Sequence, residues 1–247
     1  LFDRDDLLAE YGDEEFANLF DCDFIDDSGS YFPLKDIIPN MVDSWEIWND
    51  FNPKQTPHYE GEVWIGYDPS FTGDNAALAV IAPPQTPLSP YRILEVKQFK
   101  GQTAQEQSLY IKKVCARYKV TFIGIDNTGN GLAVSEYVSK FFPALTRLNY
   151  NPELKIRMGL RAKELFQKRR LNFDAGLTTV AKAFLSIKKA MTSGGGNKTL
   201  VTSRSAENGH GDLAWAIMNG LEKAPIVDIT DPSQQGAARS RIRVFKS

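Results

Sequence analysis

Cysteine and histidine are scarce in this chain of 247 residues, which contains two of each. Cys22 and Cys115 lie far apart and belong to no Cys-x-x-Cys pair, so neither a disulfide framework nor a cysteine-based metal knuckle is predicted. His58 and His210 are the only imidazoles, and a zinc centre built from histidines is therefore not expected. This composition suits a protein of a reducing compartment.

Long apolar runs are also absent from the sequence. No stretch approaches the roughly 18 consecutive apolar residues that a membrane-spanning helix needs. Residues 1–6 contain three aspartates and one arginine, and this acidic start is not typical of a signal peptide. We therefore expect no membrane contact. Because the first residue is Leu1 rather than methionine, we expect a fragment of a longer protein or a processed form.

Positive charge is nearly missing from the first quarter of the chain. Residues 1–60 contain 16 acidic and 3 basic residues, whereas residues 61–247 contain 15 acidic and 26 basic residues. This contrast predicts two electrically different parts. We expect residues 1–60 to be a helical, loop-rich extension without its own core, residues 61–225 to be the folded domain, and residues 226–247 to be a flexible basic tail.

Strand and helix patterns alternate from Gly61 onwards. The predicted strands cover residues 63–67, 76–82, 91–99, 120–125, 145–150 and 198–202, and the predicted helices cover residues 103–118, 131–142, 153–170, 177–192 and 211–223. In the first of these helices, Thr103 is expected to be the N-cap, and Leu109, Tyr110, Ile111 and Val114 are expected to supply a buried face. This order predicts an α/β fold with a mixed central sheet, in which three antiparallel strands precede parallel strands and helices flank the sheet.

Three aspartates lie where predicted elements end or begin. Asp68 ends the first strand, Asp126 ends the apolar strand 120–125, and Asp212 lies in the first turn of the last helix. In a β-β-β-α-β order the first and fourth strands are neighbours, so Asp68 and Asp126 are expected to meet at one edge of the sheet. Leu213, Ile217 and Leu221 are expected to form the face of this helix that packs. Asp212 lies on a different face, with Ala216 and Asn219, so we expect Asp212 to point away from the core.

Converging carboxylates need a cation between them, because like charges a few ångströms apart raise one another's pKa. Hard divalent cations prefer oxygen ligands, so Mg²⁺ or Mn²⁺ is expected here. Two such ions about 3.5–4 Å apart catalyse phosphodiester hydrolysis without a serine or cysteine nucleophile. The alternative is a structural role for each aspartate, such as an Asx turn from Asp126 to Thr128, or a first-turn acid favoured by the helix dipole at Asp212.

Weaker candidates accompany these aspartates. Asp74 and Asp174 are candidates for an additional metal ligand, with an ordinary loop role as the alternative. His210 is a candidate for assisting a metal-bound water or orienting a phosphate, with solvation or capping of the helix start as the alternative. The Gly129-Asn130-Gly131 run precedes a helix but lacks the lysine and the spacing of a P-loop.

Basic residues dominate residues 151–204, which contain 12 Lys and Arg against 3 acidic residues. Such an excess is typical of a surface that contacts nucleic-acid phosphates, and binding through it depends steeply on salt. The alternative is a solvated amphipathic helix. The buried stripe of that helix is predicted at Leu154, Met158, Ala162 and Leu165. The candidate DNA-binding residues are Arg157, Arg161, Lys163, Lys168, Arg169, Arg170, Lys188 and Lys189.

Three motifs in one order carry a family resemblance. They are Gly66-Tyr67-Asp68-Pro69-Ser70, Ile123-Gly124-Ile125-Asp126-Asn127-Thr128-Gly129 and Gly209-His210-Gly211-Asp212-Leu213-Ala214-Trp215-Ala216. Together they resemble the nuclease domain of the large terminase subunit of tailed phages, over residues 61 to about 225. The resemblance implies a ribonuclease H-like fold with Asp68, Asp126 and Asp212 as metal-binding catalytic acids. The family often has Glu at the second of these positions.

The resemblance also implies a function. The implied activity is that of a metal-dependent endonuclease, which cuts concatemeric viral double-stranded DNA during packaging. The implied partners are the small terminase subunit and the portal protein, and the implied location is the cytoplasm of the infected bacterium. Residues 1–60 resemble the stretch that joins the ATPase domain to the nuclease. Walker-type motifs are missing, so we expect this chain to cut DNA without pumping it. No segment of the sequence convincingly predicts contacts with base edges, so we expect cutting to be nonspecific.

The residues alone leave three other functions open. The first is a resolvase-like or transposase-like nuclease, because the same fold and acids serve both reactions. The second is an actin-like or sugar-kinase-like nucleotide-binding domain, whose related fold also starts with a hairpin tipped by an aspartate. The third is a non-catalytic DNA-docking module with structural aspartates.

Overall fold

The computed structural model describes residues 29–52, 54–55, 58–70, 75–129, 131–192, 198–202 and 211–225. Two candidate site residues, Asp74 and His210, lie outside these ranges. The predicted basic tail at residues 226–247 and residues 1–28 of the predicted acidic extension lie outside them as well. None of the helices in the described part of the chain is both long and apolar enough to cross a membrane.

Strands and helices alternate along the described chain. The strands are β1 (Met41–Val42), β2 (Glu62–Asp68), β3 (Ala76–Ala82), β4 (Tyr91–Phe99), β5 (Lys119–Asp126), β6 (Thr146–Leu148), β7 (Leu171–Asp174), β8 (Ile187–Met191) and β9 (Lys198–Thr202). The α-helices are α1 (Leu34–Ile37), α2 (Ser44–Ile47), α3 (Ala104–Arg117), α4 (Gly131–Ser139), α5 (Pro152–Gln167), α6 (Thr178–Leu185) and α7 (Gly211–Gly220). Short 3₁₀ turns follow α1 at Ile38–Asn40 and α7 at Leu221–Lys223.

Seven strands form one mixed sheet in the order β1-β7-β4-β3-β2-β5-β6. β3 runs antiparallel to β2 and β4, and the remaining neighbours in this sheet run parallel. The predicted antiparallel arrangement of β2, β3 and β4 is therefore confirmed. The predicted contact between the first and fourth strands, β2 and β5, is confirmed as well. β8 and β9 form a separate antiparallel hairpin.

The sheet has a hydrophobic core on each face. In β2, Ile65 and Tyr67 point into the core that α3 and α4 cover, whereas Trp64 points into the core formed with α5, α6 and α7. This division follows from the alternation of side chains along a strand. The predicted buried stripe of α5 is confirmed, because Leu154, Met158, Ala162 and Leu165 all lie in the second core.

Helix α3 begins where its capping residues predict. Thr103 and Glu106 form a reciprocal capping box, in which the Thr103 hydroxyl accepts from the Glu106 backbone and the Glu106 carboxylate accepts from the Thr103 backbone. Ile111 and Val114 are buried as predicted, but Leu109 is 48% exposed. The prediction for Leu109 is wrong because a side chain two positions before Ile111 projects about 200° around the helix.

The predicted helix at residues 177–192 is wrong in its second half. Helix α6 ends at Leu185, and Ile187–Met191 form strand β8. Lys188 and Lys189 suit an exposed position on a helix or a strand, so the local pattern does not distinguish the two. Pairing with β9, in a register from Ile187 opposite Thr202 to Met191 opposite Lys198, decides in favour of the strand.

Strand β7 was not predicted either. It contains four residues, too few for a clear alternation of polar and apolar positions. Its parallel pairing with β4 on one side and β1 on the other makes it a strand. The connection between α5 and α6 therefore contains a strand of the central sheet, whereas the sequence pattern predicted two consecutive helices.

The segment before β2 packs against both cores of the sheet, with Phe32 in the second core and Trp48 in the first. Phe32 is buried between α5 and α6, with its ring centroid 6.0 Å from that of Phe166 and 4.9 Å from that of Phe184. Strand β1 extends the sheet by pairing with β7. The described part of the predicted extension is thus a packed layer that has no core of its own, and the domain boundaries at residues 60 and 225 stay predictions.

Candidate active site

Asp68 and Asp126 end neighbouring parallel strands. Tyr67 of β2 lies opposite Ile125 of β5, so the two aspartates that follow are adjacent at the carboxyl edge of the sheet. Neighbouring strands are about 4.8 Å apart. The sheet therefore brings together two carboxylates that lie 58 positions apart in the sequence.

Both aspartates belong to the same face of the sheet. Tyr67 and Ile125 point into the core under α3 and α4, and side chains alternate along each strand. Asp68 and Asp126 consequently belong to the opposite face, against which α7 packs. This is the face from which Asp212, in the first turn of α7, approaches the sheet.

Glycine residues bring α7 unusually close to the sheet. A Cβ atom at Gly66 would overlap the carbonyl oxygen of Ala216, and a Cβ atom at Gly124 would overlap the carbonyl oxygen of Asn219. Each of these glycines lies two residues before an aspartate of the site. The backbone of α7 can therefore rest directly on β2 and β5, near the strand ends that carry the carboxylates.

Asp212 lies close to the start of β3. Its Oδ2 atom accepts a hydrogen bond from the backbone N–H of Asn75, at 3.1 Å. Asn75 immediately precedes β3, in which Ala77 is paired with Asp68. This contact places Asp212 at the same edge of the sheet as Asp68 and Asp126.

Helix α7 is buried on all sides after Asp212. Residues 213–220 are all buried, including Ala216 and Asn219 on the same face as Asp212. The burial extends around the helix because α7 contacts strands on one side and α5 and α6 on the other. Asp212 itself is partly exposed, since it lies at the end of the helix.

The three aspartates share an edge of the sheet, but their side chains do not form a preformed metal-binding site. Across the described ranges, no three Asp, Glu, His or Cys side chains lie close enough together to hold one metal ion. The donor set nevertheless suits a hard divalent cation, because it consists of carboxylate oxygens from two strand ends and one helix start. Asp68 and Asp126 are adjacent, and Asp212 lies on the neighbouring helix.

Asp126 is the aspartate whose environment is described in most detail. Its Oδ1 atom accepts hydrogen bonds from the Thr128 backbone N–H at 2.9 Å and from the Thr128 hydroxyl at 2.5 Å. The Asx turn considered in the sequence analysis is therefore present. Burial raises the pKa of Asp126, whereas the bonds from Thr128 and the positive charge of Lys155 lower it, and the net direction is upward.

A hydrogen-bonded chain links Tyr150, which follows β6, through Asn219 of α7 to the end of β2. The Tyr150 hydroxyl donates to Asn219 Oδ1 at 2.7 Å, and Asn219 Nδ2 donates to the carbonyl oxygen of Tyr67 at 2.8 Å. Burial raises the pKa of Tyr150, and the negative charges of Asp68 and Asp126 raise it further. The Tyr150 hydroxyl is therefore protonated and lies within the electrostatic field of both aspartates. Sequence reasoning did not identify Tyr150 as part of the site.

Asp174 lies away from the other aspartates. Its Oδ2 atom accepts hydrogen bonds from the backbone and the hydroxyl of Ser44, so it ties α2 to the end of β7. The strand register places Phe173 level with Trp64, and β7 is three strands from β2. Asp174 is therefore three strands and three residues from Asp68, which corresponds to roughly 17 Å. We do not include it in the site.

Two of the predicted DNA-binding arginines form ion pairs with one carboxylate. Arg157 Nη2 lies 2.7 Å from Glu222 Oε1, and Arg161 Nη1 lies 2.5 Å from Glu222 Oε2. The Arg161 side chain is 10% exposed, whereas that of Arg157 is 50% exposed. Arg161 therefore anchors α5 to the end of α7.

Three other predicted DNA-binding residues also have partners within the protein. Lys168 forms an ion pair with Glu164 at 2.6 Å. Lys163 donates to the carbonyl oxygen of Tyr31 and lies over its ring. Arg170 donates to a backbone carbonyl oxygen. Lys163, Lys168 and Arg170 are therefore engaged within the protein itself.

The predicted basic surface is divided along α5. This helix is about 24 Å long, and its first residues follow β6, the strand beside Asp126. Lys168, Arg169 and Arg170 follow its other end, where β7 begins. Lys188 and Lys189 lie on β8, in the separate hairpin. The structure thus brings Lys155 near the aspartates and leaves the basic residues 168–170 at the far end of the helix.

Comparison with known proteins matches this chain to a family. The family model described as "Terminase RNaseH-like domain" matches residues 65–224. The "Terminase, ATPase subunit" of Escherichia phage P2 is 42% identical over 227 residues, covering 92% of this chain and 38% of that protein. The "Probable terminase, ATPase subunit" of Haemophilus phage HP1 is 35% identical over 230 residues, with the same coverage of both chains. The chain therefore spans 38% of the length of these relatives.

Solved structures share the fold at low sequence identity. The large terminase nuclease of thermophilic phage G20c with bound magnesium has a TM-score of 0.60 and 16% identity, covering 79% of this chain and 97% of that one. A form of that nuclease with bound cobalt has the same TM-score. The nuclease domain of Thermus phage P74-26 has a TM-score of 0.56 and 15% identity, covering 78% and 94% of the two chains. The predicted ribonuclease H-like fold is confirmed.

Proposed function

This chain belongs to the terminase ribonuclease H-like domain family, and from that premise we propose that it is a metal-dependent endonuclease. Its proposed substrate is concatemeric viral double-stranded DNA, cut during genome packaging. The family is that of the nuclease domain of phage packaging terminases. The observation that supports the proposal most directly is the adjacency of Asp68 and Asp126 at two strand ends, on the face where α7 carries Asp212.

The proposed metal ligands are Asp68, Asp126 and Asp212, and the proposed ions are Mg²⁺ or Mn²⁺. The support is the all-carboxylate donor set and the partly desolvated Asp126, whose charged form gains from a cation nearby. When bound, divalent ions lower the pKa of a water molecule and stabilise the leaving oxygen of a phosphodiester. We propose two ions, the number predicted in the sequence analysis.

The protein groups around the aspartates orient both the carboxylates and the DNA. Thr128 holds one oxygen of Asp126, and Asn219 holds the backbone that leads to Asp68. Helices α4, α5 and α7 all begin near this edge, and helix N-termini carry partial positive charge that favours phosphates. Helix N-termini bind the phosphate backbone rather than base edges, so we propose cutting without sequence preference.

Partners and location follow from the family in the same way. We propose that the small terminase subunit and the portal protein direct the nuclease to its cutting sites, in the cytoplasm of the infected bacterium. DNA pumping is assigned to the part of the longer relatives that this chain does not span.

A plasmid-cleavage assay tests the proposal. Supercoiled plasmid is incubated with the protein in Mn²⁺, Mg²⁺, Ca²⁺ or EDTA, and nicked and linear products are quantified. We expect cleavage with Mn²⁺ or Mg²⁺ only, and a loss of at least about 100-fold in Asp126→Asn, because the variant lacks a charged ligand. Asp36→Asn, which makes the same change on α1, is the control and should cleave normally.

Other outcomes of this assay would favour the alternative functions. A folded wild type that binds DNA but never nicks it would indicate a docking module. A strong preference for four-way junctions over linear duplex would indicate a resolvase-like enzyme. ATP binding without DNA cleavage would indicate the nucleotide-binding alternative.

A further inference from the structure

Lys155 lies over two aromatic rings beside the candidate active site. Its Nζ atom is 5.2 Å from the centroid of the Tyr150 ring and 5.0 Å from that of the Trp215 ring. The two ring centroids are 5.4 Å apart. Aromatic faces attract a cation within about 6 Å. The ammonium group is therefore held against both rings at once, which restricts where it can lie.

Hydrogen bonds fix the two rings that support Lys155. Trp215 Nε1 donates to the Thr202 hydroxyl at 3.0 Å, and the Tyr150 hydroxyl donates to Asn219 Oδ1 at 2.7 Å. Asn219 also binds the backbone carbonyl of the residue before Asp68. The Tyr150 ring under Lys155 thus belongs to the same hydrogen-bond network that positions the end of β2.

The position of Lys155 in the chain places it near Asp126. Strand β6 pairs with β5 so that Leu148 lies opposite Asp126, and α5 begins four residues later with Asn151 as its N-cap. Lys155 lies in the first turns of that helix. The effect of its charge on the Asp126 carboxylate agrees with this placement.

Within the described ranges, Lys155 has no ion-pair partner, whereas Arg157 and Arg161 of the same helix each pair with Glu222. No side chain in these ranges accepts a hydrogen bond from Lys155. Lys168, which follows the helix, is paired with Glu164. Lys155 therefore combines a fixed position with unused hydrogen-bond donors.

We propose that Lys155 binds the DNA phosphate at this site, with its ammonium group donating to a non-bridging oxygen of the phosphate beside Asp68 and Asp126. The inference deepens the proposed function and rests on it. Three carboxylates at one edge repel a polyanion, and a fixed cation offsets part of that repulsion. Lys155 is a point charge with rotatable donors, which suits phosphate contacts of varied geometry.

The first test measures binding without cleavage. A fluorescein-labelled duplex is titrated in Ca²⁺ at several KCl concentrations, and the slope of log affinity against log salt is determined for wild type, Lys155→Gln and Lys155→Arg. Loss of one phosphate contact should reduce the slope by about 0.9 in Lys155→Gln, whereas Lys155→Arg should keep it. An unchanged slope in a folded Lys155→Gln overturns the proposal.

Lys223 provides a matched control. Its Nζ atom also lies over two rings, 5.4 Å from the Trp64 centroid and 5.9 Å from the Phe122 centroid, but it follows the opposite end of α7 from Asp212. Lys223→Gln therefore removes the same charge and the same kind of ring contact away from the site. It should leave the salt slope and the cleavage rate unchanged, and an effect equal to that of Lys155→Gln counts against the proposal.

The second test measures cleavage with Mn²⁺. Lys155→Gln should lower kcat about 100-fold, which is the usual effect of removing one donor that stabilises charge in a transition state. Lys155→Arg should restore most of the rate, which a purely structural role would not require. Melting temperatures verify folding, and Lys155→Met, which keeps an unbranched stem, replaces Lys155→Gln if the latter unfolds.

The two tests separate the inference from the function on which it rests. If wild type cuts no plasmid with any ion, the proposed function fails, and the salt slope in Ca²⁺ still decides whether Lys155 contacts a phosphate. If wild type cuts and Lys155→Gln cuts equally well with an unchanged slope, only the role of Lys155 fails.

Discussion

Gly66 and Ala216 meet so closely that a Cβ atom at Gly66 would overlap the carbonyl oxygen of Ala216. Gly66 lies two residues before Asp68, and Ala216 lies about one helical turn after Asp212. This backbone contact therefore sets the distance between the strand end and the helix start that carry two of the aspartates. It explains why the motif around Asp68 contains glycine at that position.

Gly66→Ala should destabilise the protein by about 3 kcal/mol or more, because the new methyl group meets backbone atoms of α7 that cannot move aside. Urea unfolding followed by circular dichroism measures the change. Gly29→Ala is the control, since the nearest atom to its Cβ would be Lys188 Nζ at 3.5 Å, and it should change stability by less than about 0.5 kcal/mol. A Gly66→Ala variant as stable as wild type would contradict the close approach.

Asp126→Asn should stabilise the metal-free protein at neutral pH. The pKa of Asp126 is raised in the folded state above its ordinary value of 3.8, so the folded protein binds this proton more tightly than the unfolded chain does. Stability is therefore lost as pH rises from near 3.8 through the raised pKa. Asparagine carries no charge and shows no such loss, while it can still accept the bonds from Thr128.

Urea unfolding in EDTA at several pH values tests this expectation. The stability difference between Asp126→Asn and wild type should be largest at neutral pH and should shrink as pH falls towards 3.8. Addition of Mg²⁺ or Mn²⁺ should stabilise wild type more than the variant. A variant that is less stable than wild type at every pH in EDTA would show that burial does not dominate the pKa of Asp126.

Glu222→Gln should cost about 3 kcal/mol of stability, because it leaves the buried Arg161 guanidinium without its charged partner. Glu164→Gln breaks the ion pair with Lys168, which is more exposed and lies within one helix. That control should change stability by less than about 0.5 kcal/mol. Similar effects of the two changes in denaturant unfolding would mean that the Arg161 pair is not buried as described.

The strand ends that carry Asp68 and Asp126 could be predicted because their causes are local. A continuous apolar run marks a buried strand, and the residues after it form turns. The order of elements then makes β2 and β5 neighbours, so the meeting of the two aspartates also follows from the sequence. The capping box at Thr103 is equally local, and α3 begins where it predicts.

The two aromatic rings that contact Lys155, Tyr150 and Trp215, could not be predicted to come together in this way. Tyr150 and Asn219 lie 69 positions apart, and their hydrogen bond exists only because α7 crosses the ends of β2 and β5. Arg161 is a similar case, since a basic residue on an amphipathic helix looks like a surface residue until Glu222, 61 positions later, is brought beside it. Sequence patterns contain spacing along one element but not the contacts between distant elements.

The amino-acid sequence alone determined the alternation of strands and helices, the antiparallel start of the sheet and the strand-end positions of Asp68 and Asp126, since these follow from periodicity and turn chemistry. Tertiary packing decided that Ile187–Met191 form a strand, that the Asn219 face of α7 is buried, and that Asp174 lies apart from the other aspartates. In each of these cases the deciding energy comes from pairing or burial against residues far away in the chain, which no local pattern contains.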